Sequence, residues 1–485
     1  MTDNELIELF LDTEEGERFE CKRVEIKPSD ALKTIVAFAN KDGGIFIVGI
    51  DDKDKIPRDK RLRGVNSNYD NVSELLKLVD KDIDPPLVRC TNMEMEIVNI
   101  SGGKDKILLF RVEKGHDIHS LKNGDTYIRK GNQNVKIGAQ DIIRLRYEKG
   151  TIKYEDELTN IASLDDIDKE LLDIYKKDNL SLEIDTWSFL VDNALAQKKD
   201  GKNYLTVAGG LLFLKNPSVQ LRGKYGVKVS RYYGTERSYT KEPNLVHKPI
   251  TIEGTLMYQI RKVMEYFYNI QKESPPKLSG AVFTPKMMIP DYAFQEAVTN
   301  AVIHRNYYIP DDIQIRFFDD RIEIESPGTY PGHVNSYNLR SERFSRNPII
   351  QRTLNRFTEA PNLDIGEGVD RMFQSMKKSN LYDPFYIPAS LKGNSVDVIL
   401  FNLKRVETWD AVSEYLDKNN RINNTEARRI TGIDDTLKMS KLFRQWVTKG
   451  ILEMRNAKST KYAYYVKPGT DISQSLFSRR GEKKK

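Results

Sequence analysis

The chain has 485 residues, more than one hydrophobic core usually organises, so several domains are expected. Its 77 Lys and Arg against 71 Asp and Glu leave a net charge of +6, and two cysteines without a C-x-x-C pair argue against a disulfide framework or a zinc site. No run reaches the roughly 18 apolar residues of a membrane span, and the acidic start MTDNELIELF is no basic secretory signal, so a cytoplasmic protein with no membrane partner is expected. Charge is unevenly spread. Residues 404–485 hold 19 Lys and Arg against 10 Asp and Glu, an excess of +9, so the first 403 residues carry −3.

In chain order, the first informative stretch runs from Glu15 to Asp52. RFECKRV alternates, so a strand there sends Glu20 and Lys22 to one face and Phe19 and Cys21 to the other, separating a charged face from a core face. After Pro28, Ser29 is placed to cap a helix whose Leu32, Ile35, Val36 and Ala39 share one side, and Gly43-Gly44 ends it. IFIVGI follows as a uniformly apolar, buried strand. Asp51 and Asp52 lie at its end, and if the two strands are neighbours, Glu15, Glu20 and Asp52 share a rim where three carboxylates can hold a divalent metal. Cys21 and Cys90 are expected in the core.

A helix near SELLKLVDKDI, strands near EMEIVNI and KILLFRVEK, and the turn and strand KNGDTYIRKGNQNV complete an α+β pattern over residues 1–150. Arg129 and Lys130 beside Tyr127 suit phosphates and one stacked base, the other reading being a solvated hairpin. Taken together, the E-x-x-x-x-E-x-K opening at Glu15, Glu20 and Lys22, the AFANKDGG helix end and the GIDD strand end resemble the Schlafen AlbA-like domain. The resemblance implies nucleic-acid binding. It also implies an endoribonuclease acting on tRNA or other structured RNA, with Glu15, Glu20 and Asp52 holding Mg2+ or Mn2+, Lys22 neutralising the scissile phosphate, and a role in phage defence.

Residues 151–255 read as a connecting region, with YLTVAGGLLFLK a helix or strand pair and Arg231, Tyr232 and Tyr233 on a later strand. Residues 256–403 hold IPDYAFQEAVTNAVIHRNY, where Pro290 and Asp291 suit a helix start and Glu296, Asn300 and His304, spaced by four, share one face. Ala293, Ala297, Val298, Ala301 and Val302 form its packing side. Glu-x-x-x-Asn resembles the GHKL ATPase fold, which implies that Glu296 polarises a water while Asn300 holds magnesium on the phosphates of ATP. In IGEGVDRM, Gly366 and Gly368 open a helix whose free amides can receive phosphate. The order of these pieces resembles the GHKL-like region found beside AlbA-like domains and called helicase-related. A P-loop motor is not expected, because no G-x-x-x-x-G-K-[ST] occurs. Where GHKL proteins carry Asp-x-Gly-x-Gly, this chain has Ser326-Pro327-Gly328-Thr329-Tyr330, so Ser326 stands in place of the adenine-reading carboxylate, with Gly328 kept as a nucleotide-binding candidate. The alternative is a fold retained for dimerisation or packing.

Residues 404–468 read as a winged helix of three helices and a strand pair. Met439, Leu442, Phe443 and Trp446 face inward on the third helix, leaving Lys438, Lys441, Arg444 and Gln445 outward for a groove and phosphates. Arg455, Lys458 and Lys461 sit near the wing tip, and 469–485 form a basic tail. The expected fold is thus α+β multidomain: an AlbA-like domain, a GHKL-like sandwich and a winged helix, with a homo-oligomer among the expected assemblies. Two functions stand: a metal-dependent endoribonuclease that also binds ATP, or a non-catalytic, ATP-responsive, DNA-binding transcription regulator.

Overall fold

The computed structural model describes residues 3–52, 56–238, 243–273, 278–279, 282–283, 287–336, 338–361, 366–387, 394–455 and 463–470. The chain divides into two compact units, one from 1–146 with 406–485, the other 147–405.

The first unit opens with α1 (Asp3–Asp12), β1 (Phe19–Lys22), α2 (Pro28–Asn40), β2 (Gly44–Val48), α3 (Tyr69–Lys81), β3 (Cys90–Val98), β4 (Lys104–Val112), β5 (Thr126–Lys130) and β6 (Gln133–Ile137). Four of these strands form a sheet in the order β1-β2-β4-β3, with β1 parallel to β2 and Glu20 beside Phe46. α2 and α3 cover one face through Leu32, Ile35, Val36 and Leu75 against Phe46, Val48 and Phe110, whereas Ile7, Phe10 and Leu11 of α1 cover the other against Phe19, Cys21, Ile45 and Ile47. Burial on both faces is why β2 is apolar at consecutive positions instead of alternating. α2 begins one residue before the expected cap, with Lys27 at the N-cap and Pro28 in the first turn; Ser29 already lies inside the helix. It ends where the Gly43 amide donates to the Phe38 carbonyl at 2.9 Å, with Gly43 at φ +75° and so close to β4 that a Cβ would lie 2.6 Å from the Val112 oxygen.

The second unit carries α4 (Lys169–Asp178), α5 (Val207–Phe213), β7 (Val227–Arg231), β8 (Ile250–Ile252), α6 (Leu256–Glu273), α7 (Asp291–His304), β9 (Ile313–Phe317), β10 (Arg321–Pro327), α8 (Pro348–Asn355), α9 (Gly368–Lys378), β11 (Phe385–Tyr386) and β12 (Ser395–Phe401). Its sheet has six strands ordered β8-β7-β9-β10-β12-β11. β7 runs parallel to β9, pairing Val227 with Ile313. Residues 151–255 are therefore no separate connector: they supply two strands of this sheet and, with Ile167, Leu211 and Phe213, part of a core that extends to Leu400. The Gly209-Gly210 stretch is helix α5, capped by Thr206, whose Oγ1 accepts from the Gly209 amide at 3.2 Å.

The C-terminal part of the first unit has α10 (Trp409–Asn419), α11 (Asn424–Thr431), α12 (Thr436–Thr448) and the antiparallel pair β13 (Glu453–Arg455) and β14 (Tyr464–Val466). Asn423 caps α11 in a capping box with Glu426, and Gly432 at φ +70° ends it. Met439, Phe443 and Trp446 are buried; Trp446 meets Trp409 edge-on at 5.1 Å, and Phe443 stacks on Tyr465 at 3.9 Å. Leu442 is only half-buried. Among the described residues no helix is long and apolar enough to cross a membrane.

Candidate functional site

Strand alternation in β1 does put Glu20 on the side opposite Phe19 and Cys21, but that side lies under α2 and Glu20 is 4% exposed. A carboxylate there needs partners. The Lys22 Nζ lies 2.6 Å from Glu20 Oε1 and 3.1 Å from Glu15 Oε1, and the fully buried Arg129 holds the second oxygen of Glu20. Arg129 also donates to the Gly16 carbonyl at 2.9 Å and to Asn134 Oδ1 at 2.8 Å, and lies over the Phe38 ring. Burial, then the neighbouring Glu20, pushes the Glu15 carboxyl up against the pull of Lys22. Although burial opposes it, the ammonium of Lys22 is held above its ordinary value by Glu20 and Glu15.

The expected rim of three carboxylates is not assembled. Among the described residues no three His, Cys, Asp or Glu side chains, Glu15, Glu20 and Asp52 included, gather as a metal would require, and Asp51 next to Asp52 is buried and paired with Arg63. The ammonium of Lys22, its side chain 30% exposed, bridges Glu15 and Glu20. Arg129 and Tyr127 are buried too, the latter 8% exposed, which removes the pair expected to meet a phosphate and a base; Lys130 remains exposed.

In the second unit a cavity of about 450 Å³ opens beside α7. Glu296, Asn300 and His304 line it from α7, because residues four apart share a helix face. Ile324, Val396 and Val398, with Ser326 beside Ile324 on β10, form a largely apolar floor, and the 339–345 loop and the start of α9 complete the lining. Asn300 Nδ2 donates to Glu296 Oε1 at 2.9 Å, which leaves the carboxamide oxygen as the atom able to take a metal. Burial pushes the Glu296 carboxyl up, opposed by Asn300, Arg371 and the Tyr292 hydroxyl. A Cβ at Gly368 would lie 1.8 Å from Glu296 Oε1, so any side chain there would force that carboxylate to shift. Ser326 spends its proton on the Ala301 carbonyl at 2.9 Å.

Residues 15–138 match the family model described as "Schlafen, AlbA_2", and residues 311–400 match that described as "Putative ATP-dependent DNA helicase recG C-terminal". The chain carries a Schlafen AlbA_2 domain and a RecG C-terminal-type ATPase-like region. Among solved structures, the DIP2311 protein of Corynebacterium diphtheriae is 16% identical over 96% of this chain and 94% of that one, with a TM-score of 0.41. The N-terminal domain of a RecG-related protein from Nitrosomonas europaea is 18% identical over 24% of this chain and 74% of that one, with a TM-score of 0.20. No curated protein matches the chain.

Within the ATPase-like region and the helix that precedes its match, Glu296, Asn300, Gly366 and Gly368 meet at one cavity, while Gly328 does not line it and packs against Asn306 and Arg346. Sequence reasoning missed the cavity's Tyr292, Arg340, Arg343 and Arg371. No spacing distinguishes those arginines from the many on solvated surfaces; only SERFSR, dense in charge ahead of Pro348, offered a signal. Lys438, Lys441, Arg444 and Gln445 are exposed on α12, as is Arg455 beside Glu453, whereas Lys458, Lys461 and the tail from 471 lie outside the described residues.

Proposed function

We propose that this protein binds nucleic acid and, in the cavity beside α7, a magnesium nucleoside triphosphate. The observation that carries the nucleotide part is a cavity with an apolar floor for a base, a Glu-Asn pair on one helix for magnesium and water, and an arginine-bearing wall for phosphates. The floor would stack against the ring while Asn300 orients the metal, which neutralises the phosphate charge when bound. Ser326 offers only acceptor lone pairs to a base, so discrimination between ATP and GTP rests on no carboxylate.

The Schlafen AlbA_2 and RecG-related matches support nucleic-acid binding. Three helices followed by a strand pair, with Lys438, Lys441 and Arg444 exposed on the third, support a winged helix that meets DNA. Lys22 and Arg129 already neutralise Glu15 and Glu20, which favours the DNA-binding regulator over an endoribonuclease acting on tRNA.

Calorimetry with magnesium and ATP tests the first half, and absence of heat for the wild type would overturn it. For the second half, the protein is incubated with tRNA, single-stranded DNA and duplex DNA, with and without manganese. Binding without cleavage is expected. Cleavage that disappears in Glu20→Gln would restore the nuclease reading.

A further inference from the structure

The wall of the cavity is lined by three arginines, Arg340, Arg343 and Arg371, and by the carboxylates Glu342 and Asp370, with Glu296 facing them from α7. These charges are not all alike. Arg340 Nε lies 2.7 Å from Asp370 Oδ1, and its guanidinium covers the Phe373 ring at 4.7 Å. Glu342 is taken up by His333 at 2.7 Å. Arg371 lies over the Tyr292 ring at 4.7 Å and acts on Glu296. Arg343 is the one of the three for which the described residues supply no carboxylate; its guanidinium lies instead against Gly366, where a Cβ would fall 2.3 Å from Cζ.

Position adds direction to this. The floor of Ile324, Val396 and Val398 belongs to the buried sheet, so an apolar base seats there, whereas Arg343 is exposed at the mouth. A nucleotide laid with its base on the floor and its metal-bound phosphates at Asn300 brings its terminal phosphoryl group to the mouth last. Resting on the nucleotide reading above, we infer that Arg343 selects nucleoside triphosphate over diphosphate in this cavity by pairing with the terminal phosphoryl group. A guanidinium fork suits that group in geometry as well as charge, and the diphosphate leaves it unpaired in water at little cost.

The test is calorimetry of the full chain with magnesium and either ATP or ADP, for the wild type, Arg343→Ala and Arg343→Lys. Arg343→Ala should weaken ATP binding about 10- to 100-fold, the worth of a charged hydrogen bond, and change ADP binding by less than about 3-fold. Arg343→Lys, which keeps the charge without the fork, should fall between. Retained ADP affinity shows that the variants fold. Equal losses for ATP and ADP, an unchanged ATP affinity in Arg343→Ala, or a wild type that binds the two nucleotides equally overturns the role of Arg343 while leaving the nucleotide site standing. A wild type that binds neither overturns both.

Discussion

Glu20 and Glu296 are equally hidden, each 4% exposed, yet their surroundings differ in kind. Glu20 is clasped by two cations, Lys22 and Arg129, inside the first unit. Glu296 has an amide and a phenol as its hydrogen-bond partners and faces a cavity, with Arg371 acting on it through space. A buried carboxylate whose charge is cancelled by neighbours on every side has a structural duty, because any ligand must first displace those neighbours. One satisfied by neutral donors beside open space keeps its capacity for a metal, a water or a phosphate's counter-ion. The charged signature in the sequence is denser around Glu20, and the chemistry is better placed around Glu296.

The largest effect should come from breaking the closed cluster. Arg129→Ala leaves the Glu20 carboxylate buried with half its compensation removed, which costs about 3 to 5 kcal/mol. Cys21, fully buried beside Glu20 on β1, reports on this unit: its labelling by a thiol reagent in urea should begin at markedly lower denaturant in the variant. Glu20→Gln combined with Arg129→Met removes the charge and the cation together and should recover much of the loss. A shift under about 1 kcal/mol for Arg129→Ala would mean that water reaches Glu20 and the cluster is not closed.

Glu155 in the second unit is a third case, fully buried and, among the described residues, hydrogen-bonded by backbone amides. Ile349 and Ile350, in the first turn of α8, each donate to it at 2.9 Å. Burial nevertheless pushes its carboxyl up to about 7 from an ordinary 4.5. Between those two values the unfolded chain has released a proton that the folded chain keeps, so the stability of this unit falls as pH rises, by about 3 kcal/mol in all, and is level above 7. Hydrogen-exchange protection of β9 and β10 in urea, compared at pH 5 and pH 7.5, measures this. Glu155→Gln should flatten the dependence; an unchanged slope would assign it to another group.

Opening the comparison from the other side, Asn300→Ala removes the carboxamide oxygen that the proposed site offers to magnesium and should lower magnesium-ATP affinity by about tenfold or more, while Glu296→Ala should keep binding and lose any hydrolysis. Equal affinities for wild type and Asn300→Ala would reduce this region to the scaffold of a nucleotide-binding domain.

Much of this contrast lay within reach of local pattern. The period of two in RFECKRV assigns Phe19 and Cys21 to one face of β1 and Glu20 and Lys22 to the other, as found, and the period of four in α7 brings Glu296, Asn300 and His304 to one cavity. Helices over 409–419, 424–431 and 436–448 follow from apolar spacing and from Gly432. What escaped is non-local. Arg129 reaches Glu20 from 109 residues away, so no window of sequence shows that the charged face is covered. Val227 pairs with Ile313, and a parallel pairing at that distance turns an apparent connector into part of the sheet. The cavity arginines sit in a loop and a helix turn where nothing periodic marks them, and their meaning depends on which carboxylates stand beside each.

The smallest effect concerns charge that is neither cancelled nor enclosed. Lys441 and Arg444 stand exposed on α12, three residues apart and hence on one face, while Met439, Phe443 and Trp446 hold the opposite face in the core. Truncating them removes no buried contact, so folding should be unaffected and the whole effect should appear when a polyanion arrives. If both meet phosphates, Lys441→Ala with Arg444→Ala lowers the dependence of log affinity on log salt by about two and weakens all duplexes alike; if one meets a base edge, it costs about 1 to 3 kcal/mol and relaxes preference at one position. Fluorescence anisotropy with two unrelated duplexes over a salt series separates these outcomes. An unchanged slope with unchanged affinity would show that the basic face of α12 is only a solvated surface.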